Sequence, residues 1–283
     1  MDEIGVRHRQ KSLGGDSGRS VSGFATCGDP TLDDLIPSLN AAFLTVAALS
    51  LVAGAVRGFV GFGAGMIMIP FISAMYGPKI GASSILVADT LLTVPYLLQS
   101  IKRCEPRTVA PVALGAVLAI PIGAYLLTTI DPTPIRWALV PIIVALLGII
   151  LSGWRYHGTP KVIVSLLVGA TSGFLSGLIQ LSGPPVVVLW ISGPAEPRTI
   201  RANIFVFFAV TSVVAIISYL IAGVFTRALV PVLAPMIPCY AVGLALGGRF
   251  FGKANPVLFR RVAVALIGLS VIVSLPMLDP YLR

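Results

Sequence analysis

Few side chains in this sequence can do chemistry in apolar surroundings, and they gather around two interruptions rich in glycine and proline. Arg57 stands immediately before GFVGFGAGMIMIP at Gly58–Pro70. Each glycine costs a helix interior roughly 1 kcal/mol relative to alanine, so Gly58, Gly61, Gly63 and Gly65 predict a helix that breaks and resumes at Met66. The second interruption lies in SGFLSGLIQLSGPPVVVLW at Ser172–Trp190, where Gln180, Ser182, Gly183 and Pro184 separate two apolar stretches. Proline in the first turn of a helix forfeits no needed N–H, so this helix is expected to resume at Pro184. A guanidinium beside freed backbone N–H groups, with the positive ends of two resumed helices aimed at it, suits an oxyanion. These residues, with Asn203 as a further neutral polar contact, form the candidate substrate-binding set.

Each has a second reading. Arg57 can snorkel to an interface, the glycines can simply let helices approach closely, and Asn203 can cap the helix that follows its charged loop. Asp89 lies nine residues into the apolar run 80–101, near a bilayer centre at roughly 1.5 Å per residue. A charge there is costly, so such acids face a cavity or a partner and often carry protons. Asp89 is a candidate proton-coupling group, and equally a candidate partner for Arg57 or a cap on broken backbone.

Other chemistry is poorly supplied. His8 falls in a polar tail and His157 in a loop, while Glu105, Asp131, Glu196 and Asp279 sit in loops or near the end. No catalytic triad, paired carboxylates or metal cluster can be assembled within the apolar runs, so an enzyme, a metal site and a cofactor are not expected. Cys27, Cys104 and Cys239 have no metal-ligand spacing and no evident pairing.

The elements that must position these residues follow from composition. The chain is 56% hydrophobic and 11% charged, against roughly 45–50% and 25% in soluble domains, which predicts an all-α polytopic membrane protein. Runs long enough to cross a hydrocarbon core, roughly 17–25 residues, lie near 80–101, 108–128, 135–152, 202–222, 228–248 and 257–276. Runs 41–76 and 161–193 carry the interruptions and predict helical hairpins that enter and return. Residues 1–35 are polar and rich in Gly and Ser, and are expected to be a disordered tail. The net charge of +9 is spread over short loops, a membrane-orientation signal rather than a nucleic-acid surface.

A shift of 119 positions lays Gly58 on Gly177, Gly61 on Gln180, Gly63 on Ser182, Gly65 on Pro184 and Ser84 on Asn203. It also lays Asp89 on Phe208, which confines any proton role to one half. The reading is therefore two repeats, 36–157 and 158–283, each a broken hairpin plus three transmembrane helices. With hairpins, eleven basic residues in the loops after 101, 152, 193 and 248 share one face and four the other. By the positive-inside rule this places both termini outside and makes the repeats inverted, a recurring transporter design.

The paired motifs resemble those of the sulfite exporter TauE/SafE family, also called toluene sulfonate uptake permeases, over roughly residues 36–276. Gly58, Gly61, Gly63, Gly65 and Pro70 match the family's first motif. Gln180, Ser182 and Pro184 stand where its second motif commonly has glycines. The resemblance implies a multi-pass carrier of the cell inner membrane for sulfite, sulfonates or related organic anions. Together with Arg57 and Asp89 it predicts a secondary transporter of small anions coupled to protons, partnered by the bilayer and not by nucleic acid. A carrier of thiosulfate or a neutral solute, and a non-transporting membrane scaffold, are the alternatives, and oligomeric state is not readable.

The orientation is testable by labelling in intact cells. Single cysteines replacing Lys102 and Lys253 should be shielded from an impermeant thiol reagent, while one replacing Asp131 should react; the reverse pattern would overturn the orientation.

Overall fold

The computed structural model describes residues 41–152, 161–191 and 196–250. The tail 1–35 and the run 257–276 lie outside them. Among the described residues there is no strand, and nine α-helices follow one another: α1 Ala41–Val60, α2 Ala64–Tyr76, α3 Pro78–Ile101, α4 Pro106–Thr129, α5 Pro132–Ser152, α6 Val162–Ile179, α7 Gly183–Ile191, α8 Pro197–Ile221 and α9 Val230–Phe250. Four of them begin on a proline, where a missing N–H removes no intrahelical bond. Further along, α3 runs through Pro95, α4 through Pro111 and Pro121, and α9 through Pro235 and Pro238, as membrane helices tolerate when neighbours re-satisfy the backbone.

Five of the described helices, α3, α4, α6, α8 and α9, are long and apolar enough to cross a membrane. Their outward faces agree. Leu114, Leu118, Ile122 and Tyr125 repeat at helical spacing along α4 and are 55–67% exposed. A stripe this apolar has no stable place in water and needs hydrocarbon against it. Conversely, α2 is enclosed by protein, with Met66, Ile67, Met68, Ile69 and Ile72 all essentially inaccessible. The molecule is a multi-pass membrane protein in which most of α2 is buried among the other helices, with Tyr76 at its end exposed.

Small residues set which helices touch. A methyl group on Gly169, Gly173 or Gly177 of α6 would collide with the carbonyl of Val112, Ala116 or Ile120 of α4, respectively. Both series climb in steps of four in the same direction, so α4 and α6 run parallel in direct backbone contact. On α1, Gly54 and Gly58 meet the carbonyls of Tyr240 and Leu244, while Gly243 and Gly247 of α9 meet those of Leu51 and Ala55. These two helices are also parallel. The pair Gly243 and Gly247 therefore serves helix contact, as small residues four apart do in membranes.

Gly58 corrects an expectation. Helix α1 continues through it to Val60, and its missing side chain admits α9 rather than breaking the helix. The break is shorter, Gly61–Gly63, with φ of 93° at Gly61 and 101° at Gly63, a region open to glycine and costly for other residues. Helix α2 resumes at Ala64 and α7 at Gly183, slightly before the Met66 and Pro184 expected. In the second break Gln180 adopts φ 54°, the left-handed conformation its glycine counterpart takes in the first. Helix ends at 60 and 179 and starts at 64 and 183, and again at 78 and 197, are all separated by 119 positions.

Replacing Gly173 with Ala should lower the midpoint of thermal unfolding in detergent, because overpacking costs about 1–3 kcal/mol. Gly148→Ala, where a methyl group would meet open space, should leave it unchanged or raise it. Equal midpoints for the two variants would contradict backbone contact between α4 and α6.

Candidate functional site

The two breaks abut. A methyl group on Gly65 would lie 2.8 Å from the Gln180 carbonyl oxygen, and one on Gly183 would lie 3.2 Å from Cβ of Phe62. Beside this junction is a cavity of about 40 Å³, lined by Arg57, Gly63, Gly65, Asp89, Gln180, Gly183 and Pro184 from the candidate set. Ala64 and Gly183, which open α2 and α7, also line it. Two helix N-termini, each carrying orphan N–H groups and a positive dipole end, thus bound one cavity.

Arg57, in the last turn of α1, is 2% exposed, which rules out snorkelling. Its Nε donates to Oδ1 of Asp89 at 2.9 Å and its Nη2 to Oδ2 at 2.7 Å. Nη1 donates to the Gly61 carbonyl at the first break. Asp89 comes from the middle of α3, and its Oδ1 also accepts from the Tyr240 hydroxyl of α9 at 2.6 Å. The Phe208 ring of α8 lies over the guanidinium, 4.1 Å from its carbon, and Phe205 lies at 5.4 Å. A planar, bidentate pair is the strongest form of this interaction, and here four helices close around it.

The pair settles one alternative for Asp89: it is the partner of Arg57. With the pair formed the guanidinium is neutralised, and the space beside it, about 40 Å³, exceeds the roughly 10–15 Å³ that one water needs.

Other candidates sit elsewhere. Gly61 supplies the carbonyl that Arg57 holds but does not line the cavity, nor does Ser182. Gly58 packs against α9, and its carbonyl accepts from Nη2 of Arg201. Asn203, expected at the solute or as the cap of its own helix, does not line this cavity and lies inside α8 rather than at its start. Its Oδ1 accepts the Glu105 N–H at the start of α4 at 2.8 Å, and its Nδ2 donates to Thr108 at 3.2 Å.

The cavity also recruits residues that sequence reasoning gave no role. Phe208, Thr211 and Ser212 of α8 complete its wall. Phe208 carried one signal, its alignment with Asp89 at the 119-residue shift; Thr211 and Ser212 share its helix face. Gln180 lines the cavity while its Nε2 donates to the Tyr219 hydroxyl at 3.4 Å, and that hydroxyl donates to the Gly177 carbonyl at 2.8 Å. Tyr240 had no signal, since its role depends on α9 lying beside α3.

Residues 46–274 match the family described as sulfite exporter TauE/SafE. A probable sulfite/organosulfonate exporter TauE of Cupriavidus necator is 26% identical over 236 residues, covering 78% of this chain and 89% of that protein. No solved structure matches the chain.

Removing one member of a buried pair strands the other. Arg57→Gln and Asp89→Asn should each destabilise the detergent-solubilised protein by about 3–5 kcal/mol, and the double variant should recover most of the loss. Additive losses in the double variant would show that the two groups do not depend on one another.

Proposed function

Because the chain belongs to the sulfite exporter TauE/SafE family, a family of membrane transporters, we propose that it is a secondary transporter of a small sulfur-containing or organic anion, sulfite or a sulfonate, coupled to a proton through Arg57 and Asp89. The observation that carries this reading is the bidentate pair at the edge of a cavity faced by two helix N-termini.

With Asp89 ionised, its two oxygens occupy N–H groups that an oxyanion would use, and the pair is neutral. Protonating Asp89 removes the counter-charge and leaves a buried guanidinium that needs an anion. A sulfite or sulfonate presents two oxygens at a spacing close to that of a carboxylate, so it can replace Asp89 on Arg57. The first turns of α2 and α7 offer it backbone N–H groups and favourable dipoles. Phe208 shields one face of the guanidinium from water and holds it by a cation–π contact worth about 0.5–2 kcal/mol. Proton and anion therefore favour each other's binding, and by linkage the effect is reciprocal.

The repeats 36–157 and 158–283 are on this reading inverted copies whose broken hairpins meet at the solute. Support comes from the helix boundaries separated by 119 positions and from the cross-pairing of α1 with α9 and α6 with α4. Gathering Lys102, Arg103, Arg198 and Arg201 around one cavity supports placing both their loops on the basic, inner face of the cell inner membrane, with the termini outside.

Flux of radiolabelled sulfite or ethanesulfonate into proteoliposomes tests this directly. Wild-type flux should respond to an imposed pH gradient. Arg57→Gln should weaken anion binding on the order of tenfold to a hundredfold at every pH. Asp89→Asn should bind anions and lose the response to the gradient. A double variant that transports with its gradient response intact would sink the mechanism, and absence of flux for any anion would leave a membrane scaffold.

A further inference from the structure

A second cavity, of about 740 Å³, lies between the end of α3 and the start of α8. Lys102, Arg103, Arg198 and Arg201 line it, and among the described residues no carboxylate does. Four cations around one concavity with low-dielectric walls focus a positive potential, which concentrates anions and speeds their arrival.

This basic concavity is joined to the central site by one face of α8. Arg198, Arg201 and Phe205 line the outer cavity; Phe208, Thr211 and Ser212 line the inner one. The spacing of three and four residues puts all six on a single helical stripe. Phe205 lines the outer cavity and also reaches an arginine of the inner one: its ring lies 5.5 Å from the guanidinium carbon of Arg201 and 5.4 Å from that of Arg57. It stacks on Tyr96 of α3, centroids 5.6 Å apart and planes 13° from parallel. Tyr96 is anchored, since its hydroxyl donates to the Leu244 carbonyl of α9 at 3.2 Å and packs where Gly248 lacks a side chain. Phe205, 3% exposed, has no polar atom and is held by packing alone.

We infer that the basic concavity is a second binding site for small oxyanions, the loading site for the central one, and that the Tyr96 and Phe205 stack is the barrier between them. This rests on the transport reading for the identity of the anion. An oxyanion held by Arg198 and Lys102 passes to Arg201, and from there one ring separates it from Arg57. Rotating Phe205 opens that step without disturbing the anchored Tyr96.

Thiol reactivity tests the site without requiring transport. In purified protein with Cys27, Cys104 and Cys239 replaced by Ser, a cysteine at the exposed position Gln99 reports on the outer cavity. Sulfonatoethyl methanethiosulfonate should react about tenfold faster than the trimethylammonium analogue, after correction for their rates with a free thiol. The preference should shrink with added salt, fall toward unity in Lys102→Gln/Arg198→Gln, and millimolar ethanesulfonate should slow the reaction. Equal rates for the two reagents, or a preference indifferent to those substitutions, would overturn the site.

For the barrier, Thr211→Cys in the inner cavity should be at least tenfold more reactive with the anionic reagent in Phe205→Ala than with Phe205 present, while Phe205→Tyr stays unreactive. Tyr96→Ala gives an independent opening should Phe205→Ala not fold. Thr211→Cys reactivity unchanged by both openings would overturn the barrier. Loss of flux with this charge selectivity intact would fault the transport reading instead.

Discussion

A guanidinium fully enclosed by apolar helices must be neutralised, and most of the central architecture follows from how Arg57 meets that requirement. Its charge is cancelled by Asp89, a third N–H closes on the carbonyl that α1 exposes where it ends, and Phe208 covers one face. None of these partners is near in sequence except Gly61. The pair therefore dictates that α1, α3, α8 and α9 converge, and the cavity is what remains between them. A buried pair of this kind adds little net stability compared with apolar packing. On the coupling proposed above the pair has a task besides stability, since its charge is exposed and covered in turn.

Convergence of that many helices requires close approach, which glycine provides. The collisions that a methyl group would cause along α1 and α9, and along α4 and α6, show backbones in direct contact without intervening side chains. In a bilayer, where apolar surface gains nothing by leaving lipid, van der Waals contact at this range is a main source of association. Each arm that ends in a break is held by a helix from beyond the other break. The two breaks are thereby brought edge to edge, and their exposed amides face a shared space instead of hydrocarbon.

Much of this was legible in the sequence. The apolar runs 80–101 and 228–248 become α3 and α9 with ends shifted by about two residues, because hydrocarbon thickness leaves little freedom in span length. The breaks were legible because glycine and proline punctuate helices for local reasons. Gly58 was not, since a glycine that admits a neighbour and one that adopts positive φ are the same letter three positions apart. Asn203 shows the same limit: its partners, Glu105 and Thr108, lie about a hundred residues away, and no local pattern names them. Arg201 was visible as a loop charge marking orientation. That it also holds the α1 carbonyl at Gly58 depends on a crossing of helices that periodicity does not encode.

The 119-residue shift lays Asp89 on Phe208, and the two side chains meet the same guanidinium from different sides. Among the described residues Asp89 is the one acid within a helix. On the coupling proposed above, each turnover then moves at most one proton through this site, which fixes a stoichiometry. A singly charged sulfonate carried with that proton transfers no net charge, so its distribution would ignore the membrane potential. A doubly charged anion carried the same way transfers one negative charge, worth about 2.3 kcal/mol per 100 mV. The protonation state of the cargo, more than the protein, would decide whether transport is electrically silent or electrogenic.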